Sequence, residues 1–239
     1  MNIDFIILAA GKGTRMGGDS PKVLASLAGK PMIQHLIDTV DSFPNSNTSI
    51  VVGYKSNEVE KDLVSQKKLS FVKQKNQLGT AHAVKQALPN IRKNSVVVIL
   101  YGDVPLVKKN TLNRLIKSAS TGKLSLLTFI KEDPTGYGRI IRGSRKNVQK
   151  ITEHKDASSV EKEIREVNSG ILAIKASLLQ EFISKIKNNN AAKEYYLTDL
   201  VEISNNHFVD VYFKIFMKFN HILAPAKFRK INAIKNKSA

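Results

Sequence analysis

The chain has 239 residues, 42% of them hydrophobic, which is enough to bury the core of one large domain or two small ones. It contains no cysteine, which excludes disulfides, cysteine-ligated zinc and thiol catalysis and fits a reducing compartment. Its formal net charge of +18 attracts anions without specifying them, and no apolar run reaches the length of a membrane span or signal peptide. We therefore expect a cytoplasmic protein that does not bind membranes.

Apolar runs alternate with amphipathic segments up to about residue 120. Buried strands are predicted at 5–10, 49–54, 69–74 and 95–106. Helices are predicted after Pro31, over 56–66 with Val59, Leu63 and Val64 turned inward, and over 79–88 with Thr80 as the cap. This alternation predicts an α/β fold with a Rossmann-like, doubly wound sheet, whose ligands lie beyond the carboxyl ends of the strands.

The second half of the chain is richer in strands. Strands are predicted within 123–133, 138–143, 147–155, 165–176 and 210–216, and a helix over 177–187. We interpret the strands before 177 as a mixed extension of the first sheet that covers its site. Residues 1–204 are predicted to form one α/β domain, and 205–239 a divergent basic tail, which we hypothesise to arise from truncation or a frameshift.

A glycine-rich, basic loop, "GKGTRMGGDSPK", follows the first strand. Its glycines allow peptide N–H groups to approach a ligand closely, and Arg15 and Lys22 favour an anionic one. The loop lacks the Gly-Lys-Ser/Thr ending of a P-loop and the third glycine of a dinucleotide fingerprint. Taken alone, it fits a phosphate site and a solvated connection equally well.

Asp103 follows the apolar residues Val96–Leu100 and lies between Gly102 and Val104, where a carboxylate can hold Mg²⁺ against phosphates or simply close a turn. Glu153 and Asn168 lie in separate strand-like segments and could bind a sugar or face solvent. The five histidines show no metal-ligand spacing, and no Ser-His-Asp arrangement indicates a covalent nucleophile.

Eight motifs, in order, closely resemble the pyrophosphorylase domain of the bacterial bifunctional N-acetylglucosamine-1-phosphate uridylyltransferase/glucosamine-1-phosphate acetyltransferase family. They are "LAAGKGTRM", "SPKVLASLAGKPM", "QLGTAHAV", "LYGDVPL", "DPTGYGRI", "EHKDA", "VNSGILA" and "EYYLTDL". The resemblance runs from about Phe5 to Ser204 and implies the fold of nucleotide-diphospho-sugar transferases. The hexapeptide repeats of that family's acetyltransferase domain are absent from these 239 residues, so acetyltransferase activity is not expected.

The resemblance also implies roles for individual residues. Arg15 and Lys22 would act in catalysis, and Asp103 would bind Mg²⁺. The nucleotide would be bound by Leu8, Ala9, Ala10, Gly11, Lys22, Gln74, Gly79, Thr80, Tyr101 and Gly102. The sugar would be bound by Gly138, Glu153, Asn168 and Thr198. The family's second magnesium ligand, an asparagine, has no assigned counterpart here. Asn220 is the nearest candidate, but its neighbours do not match those of the family's asparagine.

The implied reaction joins UTP and N-acetylglucosamine-1-phosphate into UDP-N-acetylglucosamine, with release of pyrophosphate, as in cell-wall precursor synthesis. There are two alternatives. One is a nucleotidyltransferase of other specificity, and the other is an impaired protein that only binds a UDP-sugar. The missing asparagine favours the impaired protein. The net charge of +18 would suit binding to nucleic acid, but this candidate ranks last because no basic motif with interleaved aromatics is present. We expect no nucleic-acid partner, and we predict no particular oligomeric state.

Overall fold

The computed structural model describes residues 1–11, 20–207 and 209–216 of the chain. Within that part the strands are β1 Asn2–Ala9, β2 Ser26–Leu27, β3 Lys30–Pro31, β4 Ser46–Val52, β5 Leu69–Lys73, β6 Ser95–Tyr101, β7 Leu124–Ile130, β8 Arg139–Arg142, β9 Val148–Thr152, β10 Glu166–Lys175 and β11 Val211–Phe216. The helices are α1 Met32–Asp41, α2 Ser56–Lys61, α3 Thr80–Ala87, α4 Lys109–Ser120, α5 Ser159–Lys162, α6 Ala176–Ile183 and α7 Leu200–Asn206. Short 3₁₀ helices cover Lys22–Leu24, Leu88–Asn90 and Leu197–Asp199.

One mixed sheet organises the described part of the chain, in the order β11-β7-β10-β6-β1-β4-β5. β5, β4, β1 and β6 are parallel, whereas β10 runs antiparallel to both β6 and β7. The hairpin of β8 and β9 extends from β10, and β11 pairs in parallel with β7. This arrangement confirms the mixed, doubly wound α/β fold that the sequence predicts.

Helices pack on both faces of the sheet and form two apolar layers. On one face, Val84 of α3, Leu179 of α6 and Val201 of α7 belong to one buried cluster. On the other, Leu36 of α1 and Leu112 of α4 belong to the second. Because both faces are covered, β1 and β6 are buried along nearly their whole length instead of alternating between buried and exposed residues.

Two local predictions are wrong. The second helix ends at Lys61 and Val64 is 74% exposed, because the backbone of Val64 leaves the helix and exchanges hydrogen bonds of 2.6 and 3.0 Å with the Gln34 side chain. Thr80 does not cap α3. Gly79 occupies the cap position, and the Thr80 hydroxyl instead accepts a hydrogen bond from the Leu197 backbone N–H at 2.9 Å.

The start of the predicted tail is part of this architecture. α7 crosses position 204, and β11 corresponds to the strand predicted at 210–216, which is confirmed. The division of the chain at residue 204 stays a prediction, because residues 217–239 lie outside the described part.

Candidate active site

A cleft of about 300 Å³, which we call the first cleft, lies at the carboxyl ends of β1 and β6. These strands are adjacent and parallel, with Leu8 opposite Tyr101, so their carboxyl ends meet at one edge of the sheet. The sequence-predicted residues that line the cleft are Leu8, Ala9, Ala10, Gly11, Lys22, Gln74, Gly79, Thr80, Tyr101 and Asp103. Gly102 lies beside it, and its N–H donates to the Leu8 carbonyl at 2.9 Å.

Lys22 and Asp103 meet at the cleft as an ion pair. Lys22 opens the 3₁₀ helix that follows the glycine-rich loop, and Asp103 stands in the turn after β6. Their side chains retain 27% and 31% of their full exposure, so both groups can be reached from solvent. The pair places a cation and an anion where a phosphorylated ligand and a metal ion could each take one of them as a partner.

Gln74 forms one side of the first cleft and is 5% exposed. Its amide nitrogen contacts the Gly79 carbonyl at 3.1 Å and the Nδ1 of His82 at 3.0 Å. These contacts fix the plane of the amide, since both of its N–H bonds have protein partners. A fixed amide with a known orientation is suited to the recognition of a nucleobase edge.

Tyr101 separates the first cleft from a second group of predicted residues. Its ring packs against Gly170 so closely that a β-carbon at that position would lie 2.6 Å from Cδ2 and Cε2. Gly170 lies in an irregular stretch of β10 between Asn168 and Leu172, with φ of +82°. Burial raises the pKa of the Tyr101 hydroxyl, and the nearby Glu153 carboxylate raises it further, so the ring stays neutral.

The four predicted sugar-binding residues come together next to Tyr101, and we call them the Glu153 cluster: Gly138, Glu153, Asn168 and Thr198. The Thr198 hydroxyl donates to the Glu153 carboxylate at 3.0 Å, and the Asn168 N–H donates to the Gly138 carbonyl at 2.9 Å. Tyr101, Asn168 and Thr198 also line one small cavity. Burial raises the pKa of Glu153, while the bond from Thr198 opposes that rise.

Four residues that line the first cleft were not assigned from the sequence: Val23, Gln77, Ala83 and Glu194. Gln77 donates from its side chain to the Ala10 carbonyl at 2.7 Å and so ties the end of β1 to the loop before α3. Gln77 and Glu194 both belong to motifs that carry the resemblance, "QLGTAHAV" and "EYYLTDL". These two motifs are the sequence signal from which Gln77 and Glu194 could have been assigned to the site.

Arg15 and Asn220 lie outside the residues that the structure describes. In the part of the chain that is described, no group of three or more histidines and carboxylates is arranged to hold a metal ion. Over the same residues, no helix combines the length and the apolar character that crossing a membrane requires.

The family model that matches the chain is described as the MobA-like NTP transferase domain, and it matches residues 5–167. The "Bifunctional protein GlmU" of Cellvibrio japonicus is 42% identical over 98% of this chain and 50% of that protein. The protein of the same name from Alcanivorax borkumensis is 46% identical over 88% of this chain and 46% of its own length. The chain thus spans about half the length of these curated relatives, and the resemblance described from its motifs is confirmed.

Solved structures support the fold. A UDP-glucose pyrophosphorylase in complex with UDP-glucose superposes with a TM-score of 0.76 at 17% identity, covering 99% of this chain and all of that chain. A putative glucose-1-phosphate thymidylyltransferase from Bacillus anthracis gives a TM-score of 0.73 at 18% identity, covering 97% of this chain and 94% of that one.

Proposed function

The chain belongs to the MobA-like NTP transferase family, and on that premise we propose that it is a uridylyltransferase. Its proposed substrates are UTP and N-acetylglucosamine-1-phosphate, and its products are UDP-N-acetylglucosamine and pyrophosphate. The name that its relatives share and the motifs of the sequence both support this assignment. We expect the reaction to take place in the cytoplasm.

The observation that carries the proposal is the position of Tyr101 between two adjoining groups of residues. On one side lies the first cleft, with Lys22, Asp103 and Gln74. On the other lies the Glu153 cluster, whose members Asn168 and Thr198 share a small cavity with Tyr101. A transferase that joins a nucleotide to a sugar phosphate needs two such sites in contact, so that the reacting groups meet.

In the proposed reaction, a phosphate oxygen of the sugar-1-phosphate attacks the α-phosphorus of UTP in line. The bond from the α-phosphorus to the bridging oxygen breaks, and pyrophosphate leaves with that electron pair. Lys22, together with Arg15 of the loop, would lower the repulsion between the two anionic substrates. Gln74 and the backbone beside Gly79 would hold uracil, and Glu153, Asn168 and Thr198 would hold the sugar.

Asp103 fits the role of a magnesium ligand in a site completed by the substrate. A single protein carboxylate is sufficient where the triphosphate and water provide the remaining oxygens, as Mg²⁺ prefers. Asp103 is exposed enough to reach such an ion, and its present partner is the ammonium group of Lys22. When bound, Mg²⁺ would neutralise triphosphate charge and favour departure of pyrophosphate.

A pyrophosphate-release assay on the purified chain tests the proposal. We expect Mg²⁺-dependent release with UTP and N-acetylglucosamine-1-phosphate, and much slower release when ATP, CTP, GTP or TTP replaces UTP. Glucose-1-phosphate replaces the sugar phosphate in a parallel series. Faster release with another pair would reassign the substrates. Binding of UDP-N-acetylglucosamine without any release would overturn the proposed activity and leave a UDP-sugar-binding protein.

A further inference from the structure

A larger cleft, of about 470 Å³, opens on a different face of helix α3, and we call it the second cleft. Ala81, His82 and Lys85 of α3 form one side, and the chain after α6, with Lys187 and Asn188, forms the other. Tyr195 also lines it. Its volume lies within the usual range for sites that take small molecules. None of the roles proposed above uses it.

The lining of the second cleft is suited to an anion. It contains no acidic side chain, and both Lys85 and Lys187 are exposed. Within the described part of the chain neither lysine forms an ion pair. Lys185, two residues before Lys187, differs, since its ammonium contacts Glu181 at 3.1 Å and the His207 ring at 2.6 Å. Two cations with no carboxylate partner thus face the same cavity.

The rest of the lining divides into polar and apolar parts. Asn188 and its neighbour Asn189 add amide groups beside Lys187. Ile183 and Ile186 are each 5% exposed and form an apolar wall with Ala81 and the ring of Tyr195. A ligand that satisfies both parts has an anionic group at one end and a flat, largely apolar body at the other.

The two clefts share a wall. The Tyr195 N–H donates to the Leu78 carbonyl at 2.8 Å, and the Ala81 N–H donates to the Tyr195 carbonyl at 2.9 Å. The two segments meet at Gly79, whose φ is +111°. A β-carbon at that position would lie 2.5 Å from the Tyr195 carbonyl oxygen. Gly79 lines the first cleft, whereas Leu78, Ala81 and Tyr195 line the second. A ligand that moves this wall from one side changes the shape of the other.

His82 provides a second connection. It lines the second cleft, and its Nδ1 lies 3.0 Å from the amide nitrogen of Gln74, which lines the first. The side-chain amide of Gln86 lies 3.3 Å from the other ring nitrogen, so each ring nitrogen of His82 has an amide neighbour. A ligand that displaces His82 would therefore release the Gln74 amide from its fixed orientation.

We propose that the second cleft binds a small organic phosphate, and that its occupancy alters nucleotide affinity at the first cleft. The phosphate pairs with Lys85 and Lys187, and the body of the ligand lies against Tyr195 and the isoleucines. The coupling acts through the Gly79–Tyr195 wall and through the contact of His82 with Gln74. Binding at the second cleft is independent of the proposed function, whereas the coupling rests on it.

The binding half is tested with AMP as the probe on the full chain, saturated with UDP-N-acetylglucosamine so that the first cleft is filled. Amide NMR shifts are expected around Lys85, Asn188 and Tyr195, with saturable binding below about 10 mM. The double variant Lys85→Ala/Lys187→Ala should weaken AMP binding about tenfold or more. Lys61→Ala/Lys117→Ala removes the same charge from exposed positions on α2 and α4 and should leave binding unchanged.

Three results would overturn the proposal that AMP binds at the second cleft. They are the absence of saturable shifts, an equal loss of AMP affinity in both double variants, and displacement of UDP-N-acetylglucosamine by AMP with shifts confined to the first cleft. If UDP-N-acetylglucosamine alone fails to bind, the proposed function fails instead. The AMP titration then still reports on the second cleft, through residues that the first cleft does not contain.

The coupling half is tested by titrating UDP-N-acetylglucosamine with and without saturating AMP, and AMP with and without the UDP-sugar. We expect each ligand to change the affinity of the other by the same factor, of about threefold or more, because linkage is reciprocal. In Lys85→Ala/Lys187→Ala, the same AMP concentration should leave affinity for the UDP-sugar unchanged. Independent affinities in the unsubstituted chain would overturn the coupling.

Discussion

Lys22 and Asp103 form an ion pair at the first cleft, although 81 positions separate them in the sequence. One follows the glycine-rich loop after β1, and the other follows β6, the neighbouring parallel strand. Each group thereby holds the other in place until a substrate arrives. The pair thus connects the two motifs of the sequence that most directly indicate phosphate chemistry.

Lys22→Ala and Asp103→Ala should each lower kcat of the pyrophosphate-release reaction by about a hundredfold or more, because each removes charge stabilisation at the reacting phosphates. Both side chains are partly exposed, so the free energy of unfolding should fall by less than about 1 kcal/mol. Steady-state kinetics and urea unfolding measure the two effects.

Lys30→Ala is the matched control for these variants, since Lys30 forms an ion pair with Asp38 that is more exposed and does not line the cleft. It should keep the kinetic constants of the unsubstituted chain. A near-normal kcat in Lys22→Ala or Asp103→Ala would show that the site is wrongly assigned.

Gly170→Ala should displace the Tyr101 ring, because the added β-carbon would lie 2.6 Å from two ring carbons. We expect higher KM values for both substrates and a loss of stability of about 2–4 kcal/mol, from overpacking added to the strain of a positive φ. Gly122→Ala is the control: φ there is +93°, but the space around it is open. It should cost only about 1–2 kcal/mol and leave KM unchanged. Equal losses in the two variants would show that contact with Tyr101 has no effect.

Thr198→Val should weaken sugar binding selectively. It removes the hydroxyl that donates to Glu153 at 3.0 Å, and without that bond the pKa of the buried carboxyl rises further. We expect about a tenfold increase in KM for N-acetylglucosamine-1-phosphate, with KM for UTP within about twofold of its original value.

The nearby Thr152→Val variant provides the comparison for Thr198→Val. It removes another threonine–glutamate hydrogen bond of 3.0 Å, from Thr152 to Glu161, at a glutamate outside the Glu153 cluster. Both KM values should stay unchanged. If Thr198→Val instead raised KM for UTP alone, the Glu153 cluster would not be the sugar site.

Asp199→Asn should stabilise the protein at neutral and alkaline pH. Burial, with the nearby carboxylates of Glu202, Glu153 and Asp156, raises the pKa of Asp199 to about 6. Because this folded-state pKa lies above the ordinary value of 3.8, the stabilising contribution is complete below about pH 4 and is lost as pH rises through 6.

The gain in the free energy of unfolding from Asp199→Asn should therefore be absent near pH 4 and reach about 1 kcal/mol above pH 6, after discounting for solvent screening of this half-exposed group. Urea unfolding at a series of pH values measures it. Glu202→Gln removes one of the charges that raise this pKa, so in that background the gain should be smaller and should reach its full value at a lower pH. A gain that is the same at every pH would contradict the raised pKa.

Several features of this protein follow from local sequence alone. The buried apolar runs of β1 and β6 and the helical spacing of Met32, Ile33, Leu36, Ile37 and Val40 in α1 predict their elements, because each encodes burial within a few residues. The carboxyl ends of parallel strands share one edge, so the sequence also predicts that the loop after β1 and the Gly102–Asp103 turn lie close together.

Other features depend on partners that are distant in the chain. The Gln34 side chain binds the backbone of Val64 outside α2, and the Thr80 hydroxyl accepts from the Leu197 N–H instead of capping α3. β10 brings Gly170 against Tyr101. Each contact depends on strand register and on how separate segments pack, which no local pattern contains. The same holds for the second cleft, whose two lysines are about a hundred residues apart and meet only because α3 and the end of α6 pack on the same face of the sheet.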